Sequence, residues 1–322
     1  MDLKKHKTLF ILGGIFVLLL LCFLGLSTYN RQQAKKDAET DDTVQITDSG
    51  DLTDLQFTDS SSGTQFHFVK EDGTWYVDSD REIPLNQSYL ISMEDTYSSL
   101  TATREITDPD SLSDYGLASP AYTVQTTDSD GNVTSFSIGN AADEDYYLTV
   151  NGQESPVYTV SSTAVSVFQY DLDTLVQKDT MPSIGSGNLV TAEITENGQT
   201  TTYSSDNDDD SETLATIAGG YGAMTLDTLA SYHASGEELN QFGLDEGSRT
   251  LVKLTYTESS SDTDEDTKKD SQDEEENLTY TISIGASTDD GNRYVQVQDS
   301  SLVYLVTQEK INNLLGIGNS EE

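Results

Sequence analysis

The chain has 322 residues, a formal net charge of −41 and only 34% hydrophobic residues, a low apolar share for a globular protein. So acidic a chain lacks the basic footprint that nucleic-acid phosphates require, which argues against DNA or RNA as a partner. Its one cysteine, Cys22, rules out an intramolecular disulfide and a thiolate metal centre.

Residues 1–7 carry Lys4, Lys5 and Lys7 and read as a short cytoplasmic N-terminus. Thr8 to Thr28, "TLFILGGIFVLLLLCFLGLST", holds no charge, and about 20 apolar residues suffice to cross a bilayer as a helix. The stretch is longer than the roughly 7–15-residue apolar core of a cleaved signal peptide. Gly25-Leu26-Ser27 is a poor cleavage site, and Leu21 stands before Cys22 where a lipoprotein carries a small residue. The expectation is an uncleaved transmembrane anchor over 8–28. Arg31, Lys35 and Lys36 follow it, so the flanking positive charges nearly balance. Beyond residue 36 there are 10 basic and 56 acidic residues, a balance of −46. Long domains translocate regardless of charge, and the bulk of the chain is expected outside the cytoplasm. Residues 29–43 are polar without apolar periodicity and read as a linker.

Strand signals follow. "VQI" at 44–46, "LQF" at 55–57 and "TQFHFV" at 64–69 alternate, and "EDGTWYV" at 71–77 places an Asp-Gly turn before another strand. In 85–104 the period changes. Tyr89, Met93, Tyr97 and Leu100 lie on one helical face, behind Pro84. After "DYGL" (114–117) strands resume, with "DSDGN" and Asn151-Gly152 as hairpin turns, and 162–176 is mildly helical.

The order then recurs. "LVTAEIT" (189–195) parallels "LTDLQFT" (52–58), the helix-like 212–232 parallels 85–106, and "QFGL" (241–244) parallels "DYGL". "LTYTISIGAS" parallels "VTSFSIGNA", "RYVQV" parallels "YYLTV", and "LVYLVTQ" parallels "PVYTVSS". The offset grows from 127 at Gly116/Gly243 to 146 at Gly139/Gly285, a difference assigned to the acidic stretch between 257 and 278. The predicted fold class is α+β: an N-terminal transmembrane helix, then two tandem repeated β-rich domains, each with antiparallel strands and one main helix. The boundaries are 44–170 for the first repeat, 171–187 for a connector, 188–315 for the second repeat with an insertion at 258–277, and 316–322 for a tail. The second copy lacks a counterpart to Trp75. Its helix carries Gly219, Gly220 and Gly222, each costing about 1 kcal/mol against Ala, so a short or broken helix is expected there.

The anchor followed by "FVKEDGTWYV", a helix, "YGLASPAYTV", "FSIGNA", "YYLTV" and "VYTV" resembles the bacterial membrane-anchored family catalogued as domain of unknown function 4340. The resemblance covers roughly 44–315 and is best in the first copy. The Gly-Leu-x-x-Pro of 116–120 becomes "GLDEG" in the second. What the resemblance implies is an accessory role beside ABC-type export systems related to gliding-motility transporters, on the outer face of the membrane. It supplies no catalytic residue.

The residues themselves carry no enzyme signature. The histidines are His6, His67 and His233, and no His-Glu-x-x-His pattern, Gly-x-Ser-x-Gly elbow or Gly-Lys-[Ser/Thr] loop occurs. No catalytic, cofactor-binding or metal-binding residue is assigned, and no cofactor is expected. Residues 258–276 hold ten acidic residues and two lysines, which suit a cation or a basic partner but read more simply as a solvated insertion. The turns "DSDGN" (128–132) and "STDDGN" (287–292) look like calcium loops, yet hairpin chemistry accounts for them. Trp75 with Tyr76 and Tyr146 with Tyr147 suggest an aromatic platform, set against strand alternation that buries one of each pair. Gly139 and Gly285 read as backbone requirements, a positive φ or a bulge. The functional expectation is a non-enzymatic, membrane-anchored extracytoplasmic protein. Its expected partner is an ABC-type permease or auxiliary subunit, and the alternative is a surface module that binds cell-wall glycan or cations.

Overall fold

The computed structural model describes residues 43–258 and 277–318. They form β1 (Val44–Gln45), β2 (Leu52–Asp59), β3 (Gln65–Glu71), β4 (Thr74–Val77), α1 (Gln87–Ser98), β5 (Thr101–Ala102), β6 (Arg104–Ile106), β7 (Tyr122–Asp128), β8 (Val133–Ala142), β9 (Asp145–Val150), β10 (Val157–Ser161), α2 (Thr163–Ser166) and α3 (Leu172–Leu175). After them come β11 (Leu189–Glu196), β12 (Gln199–Ser204), α4 (Ser211–Ala223), β13 (Leu229–Ser231), α5 (Glu237–Gln241), β14 (Thr250–Thr257), β15 (Asn277–Ser287), β16 (Asn292–Val297), β17 (Val303–Thr307) and α6 (Gln308–Leu314).

The strands make three antiparallel sheets. One small sheet pairs β1 with β5, one runs β4-β3-β2-β7-β8-β9-β10-β6, and one runs β12-β11-β14-β15-β16-β17-β13. The last seven strands of the larger sheet and the seven of the other follow the same chain order, with β4 as the one strand of the larger sheet that has no counterpart. By contact density the chain divides into two compact units. One comprises the described residues up to Leu52, Thr58–Thr64 and Asp95–Ser166; the other comprises Thr53–Phe57, Gln65–Glu94 and the described residues from Val167 onward.

The α+β expectation is corrected here: the described residues are mostly β-sheet, with helix at 19%. Among the described residues only α1 and α4 exceed two turns, at 12 and 13 residues. The mildly helical 162–176 breaks into two four-residue turns, α2 and α3. The tail of the expected helix 212–232 instead becomes β13, paired with β17. β-Branched and aromatic residues in alternation favour this outcome, because they fit a pleated, half-buried surface. Strand β14 shows it, alternating buried and half-buried along its whole length with Val252 and Leu254 fully buried. The expected transmembrane helix at 8–28 lies outside the described residues. Among the described residues no helix is long and apolar enough to cross a membrane.

On α1 the buried face is Leu90, Met93, Glu94 and Tyr97, with Tyr89 half-buried against the Tyr170 ring at 4.7 Å. Leu100 is buried but lies past the helix end. On α4, Leu214, Ile217 and Tyr221 are buried, and the helix runs unbroken through its three glycines. Gly219 and Gly222 face open space. A Cβ on Gly220 would stand 2.3 Å from the Leu314 nitrogen, so this glycine lets the backbones of α4 and α6 approach closely.

The repeated Ile-Gly has a physical cause. A Cβ on Gly139 would lie 2.2 Å from the Tyr115 carbonyl oxygen, and one on Gly285 would lie 2.2 Å from that of Phe242. Each carbonyl accepts from the residue after the glycine, Asn140 at 2.9 Å and Ala286 at 2.7 Å. Neither glycine has positive φ; the left-handed residues are Gly116 and Gly243 in the Gly-Leu turns that dock there. Both strands shift register at this point, between Ile138 and Ala141 and between Ile284 and Ser287. The pairings also divide the growth in offset. Tyr122 pairs with Ile138 and Thr250 with Ile284, so the copies stand 128 apart on the first of these strands and 146 on the second. One of the extra residues therefore lies between Leu244 and Thr250, and eighteen lie in the hairpin.

Candidate functional site

Three polar constellations stand out. The first surrounds Trp75 on β4. Its indole Nε1 donates to Glu94 Oε2 at 3.0 Å, and Lys70 Nζ donates to both Glu94 oxygens at 2.9 Å while sitting 5.7 Å over the indole ring. Trp75 and Glu94 are buried. The backbone of Trp75 is also held. Its N–H donates to Gln87 Oε1 at 2.8 Å and its carbonyl accepts from Gln87 Nε2 at 3.0 Å, so one side-chain amide takes the place of a neighbouring strand. This cluster closes an edge and offers no reactive group to solvent.

The second is the pair of described histidines. His67 Nε2 lies 2.6 Å from Asp54 Oδ2, and its Nδ1 lies 3.2 Å from Asp78 Oδ2. His233 Nε2 lies 2.5 Å from Asp80 Oδ2. Its Nδ1 is 3.2 Å from Glu82 Oε2, within ion-pair range but without hydrogen-bond geometry. Both rings brace the turn that follows β4. A carboxylate beside an imidazole can orient a general base, yet no described serine or threonine hydroxyl is hydrogen-bonded to either ring as a nucleophile would be. Among the described residues no group of three or more His, Cys, Asp or Glu is placed to hold a metal ion.

The third is an open basin of about 680 Å³ lined by Thr103, Arg104, Asp143, Asp145, Tyr147 and Thr159, among others. Thr103 Oγ1 donates to Asp145 Oδ2 at 2.5 Å and lies 2.8 Å from Thr159 Oγ1. Strand pairing assembles it: Arg104 is opposite Thr159, and Thr159 is opposite Tyr147. Its walls are polar and it is broadly open, unlike the enclosed, mostly apolar pockets that bury small ligands.

The sequence-predicted candidates fall as follows. Trp75 is buried and Tyr76 half-buried, so they make no exposed platform. Tyr147 packs edge-on against Tyr115 at 4.8 Å, and Tyr294 packs against Phe242 at 4.6 Å, the same contact in each copy. Tyr146 meets Tyr122 at 6.2 Å, while its counterpart Arg293 donates through Nε to the Gly285 carbonyl at 2.8 Å. Burial holds that guanidinium below its ordinary value. In "DSDGN" the Asp128 carboxylate accepts from the N–H groups of Asp130 and Asn132 and from the Asn132 amide. These bonds hold its pKa below the usual carboxylate value and occupy both oxygens with turn chemistry. In the second turn Thr288 takes the place of that aspartate. Of the acidic stretch 258–276 only Glu258 lies within the described residues, as does neither His6 nor Cys22. Sequence reasoning missed Glu94, Gln87 and the basin, since each depends on partners 12 to 56 positions away.

A family model described as "Domain of unknown function (DUF4340)" matches residues 75–225. The match begins at Trp75 and ends just beyond α4. No curated protein and no solved structure shows significant similarity to the chain.

Proposed function

We propose that this chain is a non-enzymatic extracytoplasmic protein, held at the cell membrane by the apolar segment Thr8–Thr28. In this reading it acts as an accessory component of an ABC-type transport system by binding a permease or auxiliary subunit. The observation that supports the reading best is the placement of charge. An uncharged 21-residue segment precedes a body whose balance beyond residue 36 is −46. A polar linker of about fifteen residues reaches at most ~50 Å, which keeps the body near the bilayer. Tethering raises its effective concentration towards neighbours in the same membrane, so a weak interface suffices. Contact with a basic partner surface then weakens as salt rises. The transporter association itself rests on the family resemblance.

Crosslinking in intact cells, with a version cleaved in the linker as control, tests this. Capture of a transporter subunit above the control is the expected result. Capture of no membrane protein above it overturns the reading. Retention of the body on purified cell wall would then favour the glycan-binding alternative, with the basin at Arg104 and Tyr147 as its first candidate surface.

A further inference from the structure

We propose that β12 is a strand-addition site for an extended segment of another protein that is basic at its N-terminal end. This goes beyond the functional reading above and holds wherever the chain resides. The ladder shows which groups of β12 are free. Ser205 N–H donates to the Val190 carbonyl, and Thr191 lies opposite Ser204. Antiparallel alternation therefore turns Gln199, Thr201 and Tyr203 toward β11 and turns the backbone groups of Thr200, Thr202 and Ser204 outward. The outward N–H of Ser204 is taken by Asp210 Oδ2 at 3.0 Å. Thr200 and Thr202 are exposed, and among the described residues nothing is bonded to their outward N–H and carbonyl groups.

The other three ends of the two large sheets are managed. Strand β4 has its outward groups at Trp75 held by Gln87. Strands β6 and β13 are three residues each, and β6 carries Arg104 and Glu105. Short, charged or covered edges are the usual protection against unwanted pairing. Strand β12 has six residues, no charge and no proline. Its counterpart β3 shows what such an edge accepts, since β3 is paired antiparallel with β4. Among the described residues the second copy supplies no such strand of its own.

Charge selects the occupant. Asp206, Asp208, Asp209 and Asp210 follow β12 directly, and no Lys or Arg occurs between Lys178 and Arg249. An incoming strand antiparallel to β12, as β4 is to β3, sets its N-terminal end beside those aspartates, so Lys or Arg there is favoured. A second copy of β12 would instead add another acidic chain to one already at −41.

The test uses the full-length chain and the synthetic peptide KKSTVTVT, with TVTVTSKK as the reversed control. Amide hydrogen exchange at Thr200 and Thr202 is expected to slow by about tenfold or more on adding the first peptide. The reversed peptide, and a version N-methylated on alternate residues, are expected to bind about tenfold more weakly. Thr202→Pro removes one outward donor at a position where an edge strand tolerates proline, and should weaken the peptide by a similar factor. The methylated peptide decides the matter if that variant fails to fold. No protection at saturating peptide overturns the proposal. So does protection that grows with protein concentration alone, which would make the occupant a second copy, and so does equal binding of the two peptide orders.

Discussion

Strands β3 and β12 hold the same place in two sheets of the same strand order, and they meet solvent differently. Beyond β3 the chain turns at Asp72-Gly73, lays down β4, buries Trp75 and fastens that strand with Gln87. Beyond β12 it turns away through a 3₁₀ turn at Asp208–Asp210 into α4. By contrast, the joint at Gly139 and Gly285 is the same to within a few tenths of an ångström. The comparison separates what this fold cannot change from what it can. The joint is a close backbone contact in mid-sheet, where any side chain collides. An outer strand adds stability and protection, and the sheet survives its loss if the exposed row stays polar.

The largest expected effect breaks the shared joint. Gly139→Ala and Gly285→Ala each force a methyl group against a backbone carbonyl, and each should destabilise by about 3 kcal/mol. Urea denaturation checks this; a large cost at one glycine and none at the other would mean that the two joints are not equivalent. Next is Glu94→Ala, which leaves Lys70 and the Trp75 indole without their acceptor. It should cost about 2 kcal/mol or more and has no counterpart in the second copy.

Alkaline pH sharpens the comparison from the other side. Tyr221, Tyr280 and Tyr304 have raised phenol pKa values, chiefly through burial, while Tyr97 is the one fully buried case among the described residues before 170. Tyr280 is pushed up to about 12, by burial first and then by the charge of Asp179. A raised phenol favours the folded state fully below the free-tyrosine value of about 10, and that contribution is lost as pH rises through the folded value. Stability should therefore be flat in this term below pH ~10 and fall between ~10 and 12, with β11 to β17 affected most. Tyrosinate absorbance followed with circular dichroism tests it, and Tyr280→Phe should reduce the slope. The smallest effects are on α4 and the insertion. Gly222→Ala should stabilise by up to about 1 kcal/mol and Gly220→Ala should destabilise. Deleting 259–276 and closing with a short turn should change stability by less than about 1 kcal/mol, since loop length costs ~0.6 kcal/mol per doubling. A lost cooperative melt in the deletion variant would contradict this.

The joint was legible in the sequence because a close approach writes itself as glycine, in "YGL" with "SIGN" and in "FGL" with "SIGA". Its cause was half misread, since the positive φ belongs to Gly116 and Gly243. Strand β12 was not legible as a strand. "QTTTYS" shows no apolar alternation, because four of its six residues are exposed. The helical share was overestimated where Tyr, Leu and Val at helical spacing, as in 162–176, served single turns and strand ends. The basin at Thr103, Asp145 and Thr159 depends on β10 lying between β6 and β9, a pairing that no local pattern announces.

The difference between the two edges can be read in one experiment, residue-resolved amide hydrogen exchange on the full-length chain without any added partner. The account predicts that β3 is protected in both rows, with Val69 and Glu71 facing β4 and Phe66 and Phe68 facing β2. It predicts that β12 alternates, with Thr201 and Tyr203 protected and Thr200 and Thr202 exchanging about as fast as an open loop. Uniform protection along β12, or alternation along β3, would contradict it.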